Sequence, residues 1–208
     1  MRSEHRDLKT CLAFLLFLSF ILGGCAFGTR EAMLRYPPQS EGGAIPAAQA
    51  AAAPEFKKTK ILLVTFNDQR QDKRVVGAVR NGFGMHTADV VALNDVQEWV
   101  SEAVKRELNN AGYAVTTQPA GSQSLATLSG DIIEVFCEAY FTYKGQVSLD
   151  VKVNKNGKDI LNRLYVGKGS AGTNWAATAD AYAQSLSLAL ADALKHMVVD
   201  LNASLESE

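Results

Sequence analysis

Cys25 follows Leu22, Gly23 and Gly24. Two small residues ahead of a cysteine let a chain enter a protease site, and the thiol can then accept a diacylglycerol. Such an anchor is stable, because each buried methylene contributes roughly 0.8 kcal/mol and two acyl chains suffice. A second set of reactive groups is the run Asp68-Gln69-Arg70-Gln71-Asp72-Lys73-Arg74, which continues to Arg80. Arginine forks match phosphate and carboxylate geometry. Asp68, Arg70, Arg74 and Arg80 are therefore the candidate partner-binding residues. The plainer reading of such a run is a solvated loop that pairs internally. Asp68 and Asp72 could be paired carboxylates, but no second set of polar groups accompanies them. No serine sits in a Gly-x-Ser-x-Gly elbow, and the expectation is a protein that is not an enzyme.

The remaining motifs have plain explanations. Cys137 lies on the apolar side of an alternating run and reads as a small core hydrophobe. Trp99 falls at core spacing, whereas Trp175 could stack on a ligand or pack. Gly82-Phe83-Gly84 begins like a dinucleotide fingerprint but lacks the third glycine. His86, His196 and Cys137 are far apart, so neither a metal nor another cofactor is expected.

The surroundings of Cys25 give it meaning. Arg2, Arg6 and Lys9 precede the apolar run Cys11–Leu22, too short for a membrane-spanning helix of about 20 residues. It suits the apolar region of an export signal, and Leu22-Gly23-Gly24-Cys25 resembles the lipobox of bacterial lipoproteins. The expected parts are a signal peptide over 1–24, a lipidated cysteine and Pro/Ala-rich tether over 25–56, and one domain over 57–208. Within the tether, Ala32–Tyr36 could dock as a short strand. Cys11 would leave with the signal and Cys25 would carry lipid, so Cys137 has no internal disulfide partner. The full chain carries 21 basic and 22 acidic residues. Without residues 1–24 it carries 18 and 20, a formal charge of −2 that does not suit nucleic acid.

The domain must hold these groups on regular elements. Lys60–Phe66 predicts a buried strand. Val75–Val79 and Phe83–His86 flank Asn81-Gly82, a two-residue hairpin signal. Asp95–Ala111 predicts a helix with Asp95 and Glu98 as a capping box. Its core face is Val96, Trp99, Val100, Ala103, Val104 and Leu108, and Gly112 ends it. A short strand, Tyr113–Thr117, follows. Ile133, Val135, Cys137, Ala139 and Phe141 alternate, as do Val147, Leu149, Val151 and Val153, which predicts strands with one buried face. Lys144-Gly145 and Asn156-Gly157 read as the turns of a meander whose third strand spans Ile160–Gly167. A closing helix runs from about Thr178 to Leu201. The fold class is α+β, a mixed and largely antiparallel sheet with two helices packed on one face.

ILLVTFNDQR, VVGAVRNGFG and DVQEWVSEAVKRELNNAGYAV, taken together from Ile61 to Val115, are similar to the YajG-type family of bacterial lipoproteins. Asp68, Arg70 and the Asn81–Gly84 turn are the most specific residues of that resemblance. It implies an envelope lipoprotein with a compact α+β domain and supplies no catalytic residues. Ala26 after the cysteine, where aspartate would retain a lipoprotein at the inner membrane, favours the outer membrane with the domain facing the periplasm. The expected role is a non-enzymatic accessory or interaction protein with an envelope protein or glycan partner. The alternative is a carrier for a lipid or amphipathic ligand, which would need a sizeable apolar cavity.

Overall fold

The computed structural model describes residues 28–36, 59–118, 125–173 and 177–207. Cys25, most of the expected tether and Trp175 lie outside the described residues. In chain order the elements are β1 (Arg30–Ala32), β2 (Lys60–Leu63), β3 (Asn67–Asp68), β4 (Val75–Arg80), β5 (His86–Ala92), α1 (Val96–Asn110), β6 (Ala114–Thr116), β7 (Leu125–Ala139), β8 (Tyr143–Lys155), β9 (Lys158–Gly169) and α2 (Ala179–Glu206). The strands form one mixed sheet around β7. Along one side of β7 the chain advances in parallel through β2, β3 and β4, in steps interrupted by loops. Along the other side β8 and then β9 run antiparallel. β5 returns beside β4, β1 lies parallel to β5, and β6 lies parallel to β2.

Both helices cover the same face and meet each other there. Asp95 caps α1 by accepting from the Glu98 amide at 2.9 Å, and the positive φ of Gly112 (84°) turns the chain out of it. All six residues expected on its apolar face are buried. In α2 the core stripe includes Tyr182, Leu186, Leu190, Leu194, Met197 and Leu201, all fully buried. Asn156 and Gly157, with φ of 54° and 83°, make the two-residue turn between β8 and β9.

Four local expectations need correction. Ile133 is exposed, because a register shift between Ile132 and Glu134 reverses the alternation of β7. Before the bulge Ala126, Leu128 and Ile132 face the helices, and after it Val135, Cys137 and Ala139 do. Phe141 has left the strand and is also exposed. Lys144-Gly145 is not a turn but lies inside β8, where Gly145 faces α2 and a Cβ would meet the Ser185 carbonyl. Finally, β4 and β5 are joined through Asn81–Met85, not through Asn81-Gly82 alone. The Asn81 side chain accepts from the Phe83 and Met85 amides, and Gly84 takes the positive φ.

The segment expected to be tether is folded in part. Ala32 and Leu34 are buried, Asn94 brackets the Leu34 amide and carbonyl, and Ser187 donates to the Arg35 carbonyl. Burial of the two apolar side chains, with their neighbouring backbone groups bonded, is what docks this stretch on the sheet.

Candidate functional site

The four charged candidates are not brought together. Asp68 and Arg70 form a buried pair: Nε donates to Oδ1 at 3.0 Å and Nη2 to Oδ2 at 2.9 Å. The same guanidinium donates to the carbonyls of Lys73 (2.6 Å) and Val75 (3.0 Å). Its fork is therefore turned inward and closes the loop between β3 and β4. Asp72 caps the Arg74 and Val75 amides, and those bonds hold its carboxyl below the usual carboxylate range. Arg74 itself is exposed. Arg80 lies roughly 16 Å beyond Val75 along β4 at the strand rise, at the end of the sheet. There it pairs with Glu138 and donates to the Gly84 carbonyl at 2.8 Å.

That end of the sheet gathers several loops. β4 and β7 finish there and β5 and β8 begin there, as their pairings require. The Tyr140 hydroxyl donates to the Gly82 carbonyl at 2.9 Å, tying the loop after β7 to the loop after β4. Together with the Arg80 and Asn81 bonds, this makes a braced tip. It displays Phe83, Met85 and Phe141 at 89%, 58% and 70% exposure. Beside it an open groove of about 530 Å³ runs between the start of β8 and the end of β9, rimmed by Lys144, Gln146 and Lys168. Sequence reasoning placed Phe83 and Phe141 on strands and so missed this cluster. The available signal was large apolar residues inside the glycine-rich stretch Asn81–Met85, where a strand face could not hide them.

Cys137 is fully buried, and burial pushes its thiol up to about 12. Burial both shields the thiol and keeps it protonated at neutral pH, so maleimide should leave the folded domain unmodified. Cys137→Ser should lower stability by about 1 kcal/mol, the low end for a buried hydroxyl, because Ser185 sits against this atom and can partner it. Fast labelling of the native protein, or a loss several times larger, would contradict that assignment. Trp99 is buried in the core, and its indole Nε1 has no partner among the described residues. Among the described residues no three His, Cys, Asp or Glu side chains gather to hold a metal ion, and no helix is long and apolar enough to cross a membrane.

Comparison with known proteins agrees with a sheet-and-two-helix lipoprotein domain. Residues 46–204 match the Lipoprotein_16 family, described as an uncharacterized lipoprotein family, and the chain belongs to it. Membership implies association with the cell envelope. No curated protein sequence matches. Among solved structures, an uncharacterized protein is 10% identical over 84% of this chain and 99% of its own, with a TM-score of 0.53. A Xanthomonas campestris protein of the DUF330 family is 15% identical over 86% and 99%, with a TM-score of 0.52. A hypothetical protein from Chlamydia trachomatis is 12% identical over 73% and 100%, with a TM-score of 0.49. At such identities the first two likenesses speak for the fold alone.

Proposed function

We propose that this chain is a YajG-type lipoprotein held to the outer membrane by a lipid on Cys25. Its domain faces the periplasm and works as a non-enzymatic accessory or interaction protein. Family membership and the apolar run ending in Leu22-Gly23-Gly24-Cys25 support the anchor. The observation that favours interaction over carriage is how α2 sits on the sheet. Gly145, Gly167 and Gly169 face Ser185, Ala189 and Ala193 so closely that a Cβ on any of them would overlap helix backbone. A carrier needs an apolar cavity, and this seam between helix and sheet is filled.

Metabolic labelling with a clickable fatty acid tests the anchor. Cys25→Ala should lose the label entirely and leave uncleaved precursor or a soluble species. Undiminished label on that variant would refute the assignment. Crosslinked recovery from envelope membranes, with the lipid intact, then separates the two roles. A recurrent protein or glycan supports an interaction protein, whereas stoichiometric lipid bound to the Cys25→Ala domain would favour a carrier.

A further inference from the structure

We propose that the braced tip carrying Phe83, Met85 and Phe141 is a membrane-docking surface, set into the leaflet that receives the lipid of Cys25. The inference rests on the Cys25 anchor proposed above.

Chain length and direction carry it. β1 runs parallel to β5, so its start points toward the end of the sheet where the tip lies. Arg30 stands opposite Val90, four residues into β5 from His86. Those four residues span about 13 Å of strand. Cys25 precedes Arg30 by five residues, which reach at most about 17 Å when fully extended. The lipidated residue therefore lies within about 17 Å of Arg30, near enough to come level with the start of β5.

β1 is not a loose leash that could relax this limit. Ala32 and Leu34 are buried, and Arg30 donates to the carbonyls of Gly28 (2.8 Å) and Ala177 (3.3 Å). The anchor therefore keeps the edge strand β1 close to the bilayer, and the end of the sheet toward which its start points displays three large apolar side chains. Isolated exposed apolar residues are ordinary. Three on two adjoining loops, fixed by the Tyr140 to Gly82 and Arg80 to Gly84 bonds, form a rigid apolar projection. Phenylalanine and methionine side chains suit the boundary between headgroups and acyl chains, where interfacial proteins bury their apolar groups. Lys144 and Lys168, on the groove beside the tip, add positive charge near anionic headgroups. The acyl chains would hold the protein while the tip fixes its orientation, leaving Arg74, at the other end of β4, directed elsewhere.

The test uses the mature, lipidated chain in vesicles of phosphatidylethanolamine and phosphatidylglycerol. Phe83→Cys, Phe141→Cys and Arg74→Cys variants each gain one reactive thiol, because Cys137 is buried and Cys25 carries lipid. Each is labelled with an environment-sensitive dye, and quenching by lipids spin-labelled near the headgroup is measured. Dyes at positions 83 and 141 should shift to the blue and lose most of their emission, while the dye at 74 should keep a water-like spectrum and its intensity. Vesicle flotation is recorded on the same samples. If the chain floats but the dye at 83 is as solvent-like as that at 74, the docking surface is wrong and the anchor stands. If the tip dyes are shielded in native envelopes but not in vesicles, a protein partner covers the tip and the proposal is also overturned. If the wild-type chain does not float, or Cys25→Ala floats equally well, the anchor itself has failed.

Discussion

Replacing Arg70 with alanine is expected to lower the melting temperature of the domain by roughly 6–20 °C, at about 2–4 °C per kcal/mol for a chain of this size. The origin is the buried pair. The Asp68 and Arg70 side chains are 5% and 6% exposed and joined by two parallel bonds. Removing the arginine strands a carboxylate away from water and leaves the Lys73 and Val75 carbonyls without their donors. Breaking a buried pair from one side costs about 3–5 kcal/mol. Arg70→Lys should recover a fraction, since an ammonium cannot reproduce the planar fork. Asp68→Ala added to Arg70→Ala should also restore part of the loss, because the stranded charge is gone. Arg74→Ala, on the exposed side of the same loop, should shift stability by no more than about 0.5 kcal/mol. Calorimetric melts of these variants decide the matter. An Arg70→Ala domain that melts like the parent would mean that the pair contributes nothing.

How far this loop could be read from sequence shows where local reasoning ends. Residue types and spacing allowed both an internal pair and a presented fork. The choice depends on β3, two residues placed beside Asp131 and Ile132 by a contact more than sixty positions away. The same division holds elsewhere. The bounds and apolar face of α1 were legible, because Asp95, Gly112 and the apolar repeat are all local signals, and of the expected capping box the structure shows the Asp95 half. The Asn156-Gly157 turn was legible for the same reason, as positive φ is a property of the residues themselves. The alternation of β7 was legible from Val135 to Ala139, but its earlier half from Leu125 and the phase at Ile133 were not, because a bulge is set jointly by two strands. Gly145 was misread as part of a turn because its role is to admit a helix that follows forty residues later. Of the candidate residues, Arg80 does reach the tip, but the apolar members beside it became visible only when two loops were brought together.

Gly167→Ala should destabilise the domain by about 3 kcal/mol, the upper end of the range for overpacking. A fall in melting temperature of roughly 6–12 °C follows at the same conversion. A single methyl group has so large an effect because of what it would meet. A Cβ at Gly167 overlaps the Ala189 carbonyl oxygen and the Ala193 amide nitrogen, both backbone atoms in the middle of α2. No rotamer change relieves that contact, so the helix must lift from β8 and β9 and loosen the burial of Leu186, Leu190 and Leu194. Gly82→Ala is the matched control. A Cβ there has nothing within 4 Å, and the melt should be unchanged or slightly raised by the smaller entropy of the unfolded chain. Ala193→Gly added to Gly167→Ala separates two causes. It removes the Cβ that would lie 2.9 Å from the new methyl but leaves both backbone contacts in place. Glycine also costs about 1 kcal/mol inside a helix, so the double variant should melt no higher than Gly167→Ala alone. Full recovery in the double variant would show that side-chain crowding, rather than close backbone approach, sets the seat of α2.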